Sequence, residues 1–187
     1  MAEPDYLERF RSYTEIFYSY FPGDRKDRDL VVFRGHQLVE SLLFRFLRDH
    51  TSCPEHLEDF HARWDATISL VKAMRYSNQP EEEWVWTSAI RLEKARNRVA
   101  HYLDSKESER FVLDFVNCVR ANYSRFTAIP GDDELKKAIF ILYFTLSALL
   151  ALEEFPPCTA THLVREEIIR TCRSIVLQGL PNGPVDS

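Results

Sequence analysis

Apolar residues recur along this chain at three- and four-residue steps, the period of helices that bury one face. The stretches are punctuated at Phe21-Pro22-Gly23-Asp24, Ser52-Cys53-Pro54, Ser77-Asn78-Gln79-Pro80, Asp104-Ser105, Ile129-Pro130-Gly131-Asp132 and Phe155-Pro156-Pro157. Proline and glycine end helices, so these breaks predict helices near 4–20, 28–50, 55–75, 81–103, 106–126, 132–154 and 160–178. Asp132 is expected to cap the sixth, and Ser105 the fifth, with Ser108 and Glu109 in its first turn. The most apolar run, Ala138 to Leu152, is broken only by Thr145 and Ser147. It falls short of the roughly 20 residues a membrane helix needs, and charges flank it closely. It predicts a buried central helix. The expected architecture is an all-α, single-domain helical bundle of about six or seven helices over 1–179, with a flexible tail at 180–187.

Composition agrees with this picture. A chain of 187 residues suits one domain, and only five glycines leave few turns for a β-rich fold. Thirteen phenylalanines suit helix–helix contacts. The net charge of −5 argues against a broad electrostatic grip on nucleic acid, though not against a small basic site. Cys53, Cys118, Cys158 and Cys172 form no C-x-x-C pair, which reads as free thiols in the reducing cytoplasm. No secretory signal, phosphate-binding glycine loop, serine nucleophile motif or paired metal carboxylates is present, so no cofactor, metal or membrane is expected.

The fourth segment carries the chemistry. Val85, Ala89, Leu92, Val99 and Leu103 define its core stripe, with a gap to be filled at position 95 or 96. At ~100° per residue, Arg96 projects near the centre of the stripe, about 20° from Val85 and Leu103. Asn97 and His101 share one flank, and Arg91, Lys94 and Arg98 lie on the opposite, polar side. An unpaired guanidinium on an apolar stripe costs several kcal/mol, so Arg96 requires a carboxylate such as Glu40, a set of backbone carbonyls, or a cleft open to solvent and a ligand. His101 alone reads better as a cap on the last carbonyls, or a charge at the negative dipole end, of its helix than as a catalytic group.

Taken together, Arg96-Asn97-Arg98-Val99-Ala100-His101, late in a helix of an α-bundle, resembles the R-N-x-x-x-H signature of the HEPN (higher eukaryotes and prokaryotes nucleotide-binding) superfamily. The run from Phe60 to Met74, a turn, and Trp84 to His101 is similar to the helical pair that ends in this motif. Gly35 to Asp49 resembles an earlier apolar helix bearing a glutamate, and the likeness covers roughly 28–126. It implies an RNA substrate, metal-independent cleavage giving 2′,3′-cyclic phosphate ends, and a cleft shared across a homodimer. The implied setting is a toxin or antiphage effector, with an antitoxin or regulatory protein as partner. Other branches, similar to mannitol-operon repressors, imply a catalytically inactive binding module that regulates a partner protein.

On that resemblance Arg96 would hold the phosphate and His101 would move protons, with Asn97 orienting the imidazole or donating to a phosphoryl oxygen. Arg98, Lys94 and Arg91 would attract the RNA backbone. Other polar clusters carry less. His36 and Glu40, four apart, read as a hydrogen-bonded pair before a metal site. His50, His56 and His61 match no zinc spacing. Trp64, Trp84 and Trp86 read as packing, and Glu81-Glu82-Glu83 as an acidic first turn.

Overall fold

The computed structural model describes residues 5–21, 27–57, 63–75, 80–101, 105–129 and 133–151. These form six helices: α1 (Asp5–Tyr20), α2 (Arg28–His50), α3 (Trp64–Met74), α4 (Glu83–His101), α5 (Ser105–Asn122) and α6 (Glu134–Ala151). No strand occurs among the described residues, and the protein is an all-α helical bundle. The expected helix at 160–178, the tail and the thiols Cys158 and Cys172 lie outside them.

The apolar run read as a central helix is one. From Ala138 to Ala151 every residue of α6 except Thr145 is buried, and α1, α2, α4 and α5 all pack against it. Ser147, the polar residue in this core, donates from Oγ to the Tyr143 carbonyl at 2.8 Å and so is satisfied within its own helix. Aromatic rings fill the α1–α6 seam: Phe17 meets Phe140 edge-on at 5.1 Å between centroids. No helix of the described residues is long and apolar enough to cross a membrane.

Where the helices differ from expectation, local backbone explains it. The third helix begins at Trp64, not near 55, because Arg63 is extended (φ −60°, ψ 148°) and Pro54–Leu57 forms a separate 3₁₀ turn. Pro80–Glu82 is likewise a 3₁₀ turn ahead of α4. There Glu82 reaches the buried Arg75 at 2.9 Å and Glu83 reaches Lys72 at 2.7 Å, so these acids tie α4 to the end of α3. The fifth helix stops at Asn122, whose Nδ2 donates to the Cys118 carbonyl at 2.8 Å. A further 3₁₀ turn, Phe126–Ala128, then returns Phe126 and Ile129 to the core. The cap expected from Asp132, outside the described residues, is supplied by Asp133, whose Oδ1 accepts from the Lys136 amide at 3.0 Å. Asp27 does the same for α2, accepting from the Asp29 and Leu30 amides at 3.1 Å each. Ser105 opens α5, and Ser108 one turn on is buried, accepting from Arg28 Nη2 at 3.2 Å.

Gly35 sets the approach of α2 to α6. A Cβ there would stand 2.5 Å from Cδ1 and 3.0 Å from Cγ1 of Ile139, which is itself fully buried. Gly35→Ala gains about 1 kcal/mol in helix propensity, but overpacking costs about 1–3 kcal/mol. The expected net loss is about 1 kcal/mol. Ile139→Val removes the clashing Cδ1, so denaturant unfolding should find the double variant at least as stable as Ile139→Val alone. Simple additivity of the two losses would count against the close approach.

Candidate functional site

The α4 stripe is carried by Val85, Trp86, Ser88, Ala89, Leu92 and Ala95, all buried. Ala95, fully enclosed, fills the gap that the wheel left between positions 95 and 96. Arg96 is rotated about 100° away from it and is half-buried, not centred on the core face. It forms no ion pair with Glu40. Its Nη1 donates to Asn97 Oδ1 at 2.8 Å, and no ion pair of Arg96 occurs among the described residues.

Asn97 is the middle of a longer polar chain. Its Nδ2 donates to Glu93 Oε1 at 2.8 Å, one helical turn back. The other oxygen of Glu93, Oε2, meets His36 Nε2 of α2 at 2.6 Å. The contact is a close ion-pair approach: both atoms are sealed from solvent, and neither has a partner of hydrogen-bond geometry among the described residues. Contact with His36 holds the Glu93 carboxyl below the usual glutamate range. Burial opposes that shift, and the charge of His36, the Asn97 hydrogen bond and the charge of Arg96 reinforce it. Trp64 of α3 walls the imidazole, its ring 4.5 Å from that of His36, while its indole Nε1 donates to the Ala89 carbonyl at 3.2 Å.

His36 is therefore paired across helices with Glu93 and not with Glu40 along its own. Helices α2 and α4 meet at Glu93, with Trp64 of α3 packed on the far side of His36; the sequence pattern did not single out Glu93. One signal was available: Glu93, Asn97 and His101 stand four apart and form one ridge of α4.

His101 is exposed at the end of α4 and makes no hydrogen bond or ion pair among the described residues. It is not brought to Arg96. Five residues on one helix separate the two by about 140° and about 7.5 Å of rise. Of the cations assigned to RNA, Arg91 donates to Asp114 Oδ1 at 2.7 Å. Arg98 stands 3.4 Å from Glu107 and lies over the Phe111 ring at 4.9 Å, so both face α5. Lys94 is exposed.

The remaining candidates divide between packed and exposed positions. Trp86 is buried, with Trp64 and Trp84 packed against the core. His50 stacks on Phe46 at 4.0 Å, His56 is exposed, and His61 lies outside the described residues. Cys53 is exposed and free, whereas Cys118 is buried and accepts from Ser88 Oγ at 3.3 Å. No group of three or more His, Cys, Asp or Glu among the described residues is placed to hold a metal ion.

No family model, curated protein or solved structure matches the chain. Its function must be argued from the site.

Proposed function

We propose that this protein is an HEPN-like, metal-independent endoribonuclease leaving 2′,3′-cyclic phosphate ends, and that it works as a homodimer. The observation that carries the reading is the state of Arg96. One of its five N–H groups is given to Asn97, no carboxylate among the described residues pairs with it directly, and it is half-buried and not enclosed in the core. The resemblance of Arg96 to His101 to the R-N-x-x-x-H signature supplies the reaction class.

In that reaction the RNA 2′-OH attacks the adjacent phosphorus as one His101 takes its proton. The P–O5′ bond breaks, and the 5′-oxygen leaves with a proton from the second His101. Arg96 stabilises the charge that grows on the non-bridging oxygens. Arg96 and His101 diverge on one helix, so they converge only in a cleft between helices or subunits, and the resemblance favours a second copy. A cytoplasmic toxin or antiphage effector, held in check by an antitoxin or regulatory protein, is the setting we propose.

The deciding experiment is incubation of labelled RNA with the protein in EDTA, with product ends analysed for 2′,3′-cyclic phosphate. A requirement for Mg²⁺ would overturn the mechanism. Absence of cleavage across several RNAs by folded protein favours a catalytically inactive HEPN-like module that regulates a partner protein. One observation already points that way: Arg91 and Arg98 are engaged with Asp114 and Glu107.

That engagement is itself testable. Asp114→Asn and Glu107→Gln release cations toward RNA. Each should steepen the slope of log affinity against log salt by about 0.7 for single-stranded RNA, read by fluorescence anisotropy. An unchanged slope would remove Arg91 and Arg98 from the RNA path.

A further inference from the structure

We infer that Glu93 and His36 are positioning residues for Arg96, fixing the direction of the hydrogen-bond chain that holds its guanidinium ready for phosphate. This rests on the nuclease reading for its purpose, but not for its structural test.

Two hydrogen bonds run from Asn97 Nδ2 to Glu93 Oε1 and from Arg96 Nη1 to Asn97 Oδ1, at 2.8 Å each, and the buried ion-pair contact of Glu93 Oε2 with His36 Nε2, at 2.6 Å, stands at their far end. An ionised carboxylate only accepts, so Glu93 obliges Asn97 to present its NH₂ group. The amide oxygen must then face the other way, toward Arg96, which only donates. Polarity is dictated at both hydrogen bonds. His36 closes the remote end: it is buried, walled by Trp64, and meets a carboxylate oxygen that has no other partner among the described residues. An exposed pair four apart on a helix would hold nothing so firmly. Here the far end of the chain is embedded between three helices, so the near end inherits a fixed position. One Arg96 N–H is spent on Asn97, and among the described residues no other group takes the remaining four.

Glu93→Gln keeps the shape but reverses the logic, because its amide NH₂ can turn toward Asn97 and flip the next amide, leaving two donors facing each other at Arg96. The test is the side-chain ¹⁵N–¹H spectrum of the full chain, with Asn97 Nδ2 and Arg96 guanidinium signals assigned through Asn97→Ser and Arg96→Lys. In the wild type both should be shifted and slowly exchanging. Glu93→Gln and His36→Leu should return them to free side-chain positions, with the backbone amide spectrum retained. His36→Gln, whose Nε2–H stands near the imidazole Nε2, should keep the wild-type pattern. Should Glu93→Gln not fold, Asn97→Ala gives the second reading, in which Arg96 alone is released. Unchanged Asn97 and Arg96 signals in Glu93→Gln or His36→Leu would overturn the inference.

Cleavage assays separate this from the parent reading. If the wild type cleaves RNA, Glu93→Gln should lower kcat by about 10- to 100-fold through misplacement, with His36→Gln close to wild type. A kcat unchanged in Glu93→Gln would overturn the positioning role even with altered spectra. A wild type that does not cleave overturns the nuclease reading alone, and the amide signals still decide the chain.

Discussion

Arg96→Ala and His101→Ala should each abolish most RNA cleavage in EDTA while leaving the fold intact. Removing a donor that stabilises transition-state charge costs about 10²–10³ in rate, and removing a general acid or base costs about 10²–10⁴. The structural cost is small on both counts. His101 is exposed and makes no hydrogen bond or ion pair among the described residues, so its loss should shift stability by no more than about 0.5 kcal/mol. Arg96 is half-buried and gives up a single hydrogen bond to Asn97. Arg96→Lys should not restore activity, because an ammonium cannot take a phosphate with two parallel N–H groups. The measurement is single-turnover cleavage beside a thermal melt. Equal loss of rate with unchanged melting assigns both side chains to the reaction. Wild-type rates in both variants would place the nuclease elsewhere on the chain or in a contaminant.

The buried α6 was legible from its sequence because an apolar run interrupted only by Thr145 and Ser147 leaves almost no face to point at water. The ends of α2 were legible for a related reason: the pattern stops where Asp27 and Thr51 leave helical geometry. The site was legible only along one helix. Periodicity placed Asn97 and His101 on a shared flank but could not choose between Ala95 and Arg96 for the core, since neighbours differ by only about 100°. It carried no information on which side chains meet across helices. The partners Glu93–His36, Arg91–Asp114 and Arg98–Glu107 all depend on packing between elements far apart in sequence. The early start expected for the third helix failed because Arg63 adopts an extended backbone that no apolar pattern announces.

The largest loss of stability should come from breaking the His36–Glu93 pair on one side only. His36→Leu leaves Glu93 Oε2 sealed with no partner, and Glu93→Leu leaves His36 Nε2 in the same state. Stranding one member of such a pair costs about 3 kcal/mol, toward the lower end of the range for buried ion pairs because Glu93 keeps a fifth of its side chain exposed. Replacing both by Leu removes both orphans and should recover much of that loss. A double variant no more stable than the singles would show that the two groups do not act as a pair. Acid should mimic the one-sided break. The folded-state carboxyl of Glu93 titrates below its unfolded value, so its contribution is fully present above the usual glutamate range and is lost as pH falls through the folded value. Unfolding free energies measured from pH 7 down to pH 3 should therefore fall more steeply in the wild type than in Glu93→Gln, whose amide does not titrate. Parallel curves for the two proteins would mean that Glu93 is not held as a carboxylate by His36, Asn97 and Arg96. The chain of hydrogen bonds would then have no anchor at its buried end.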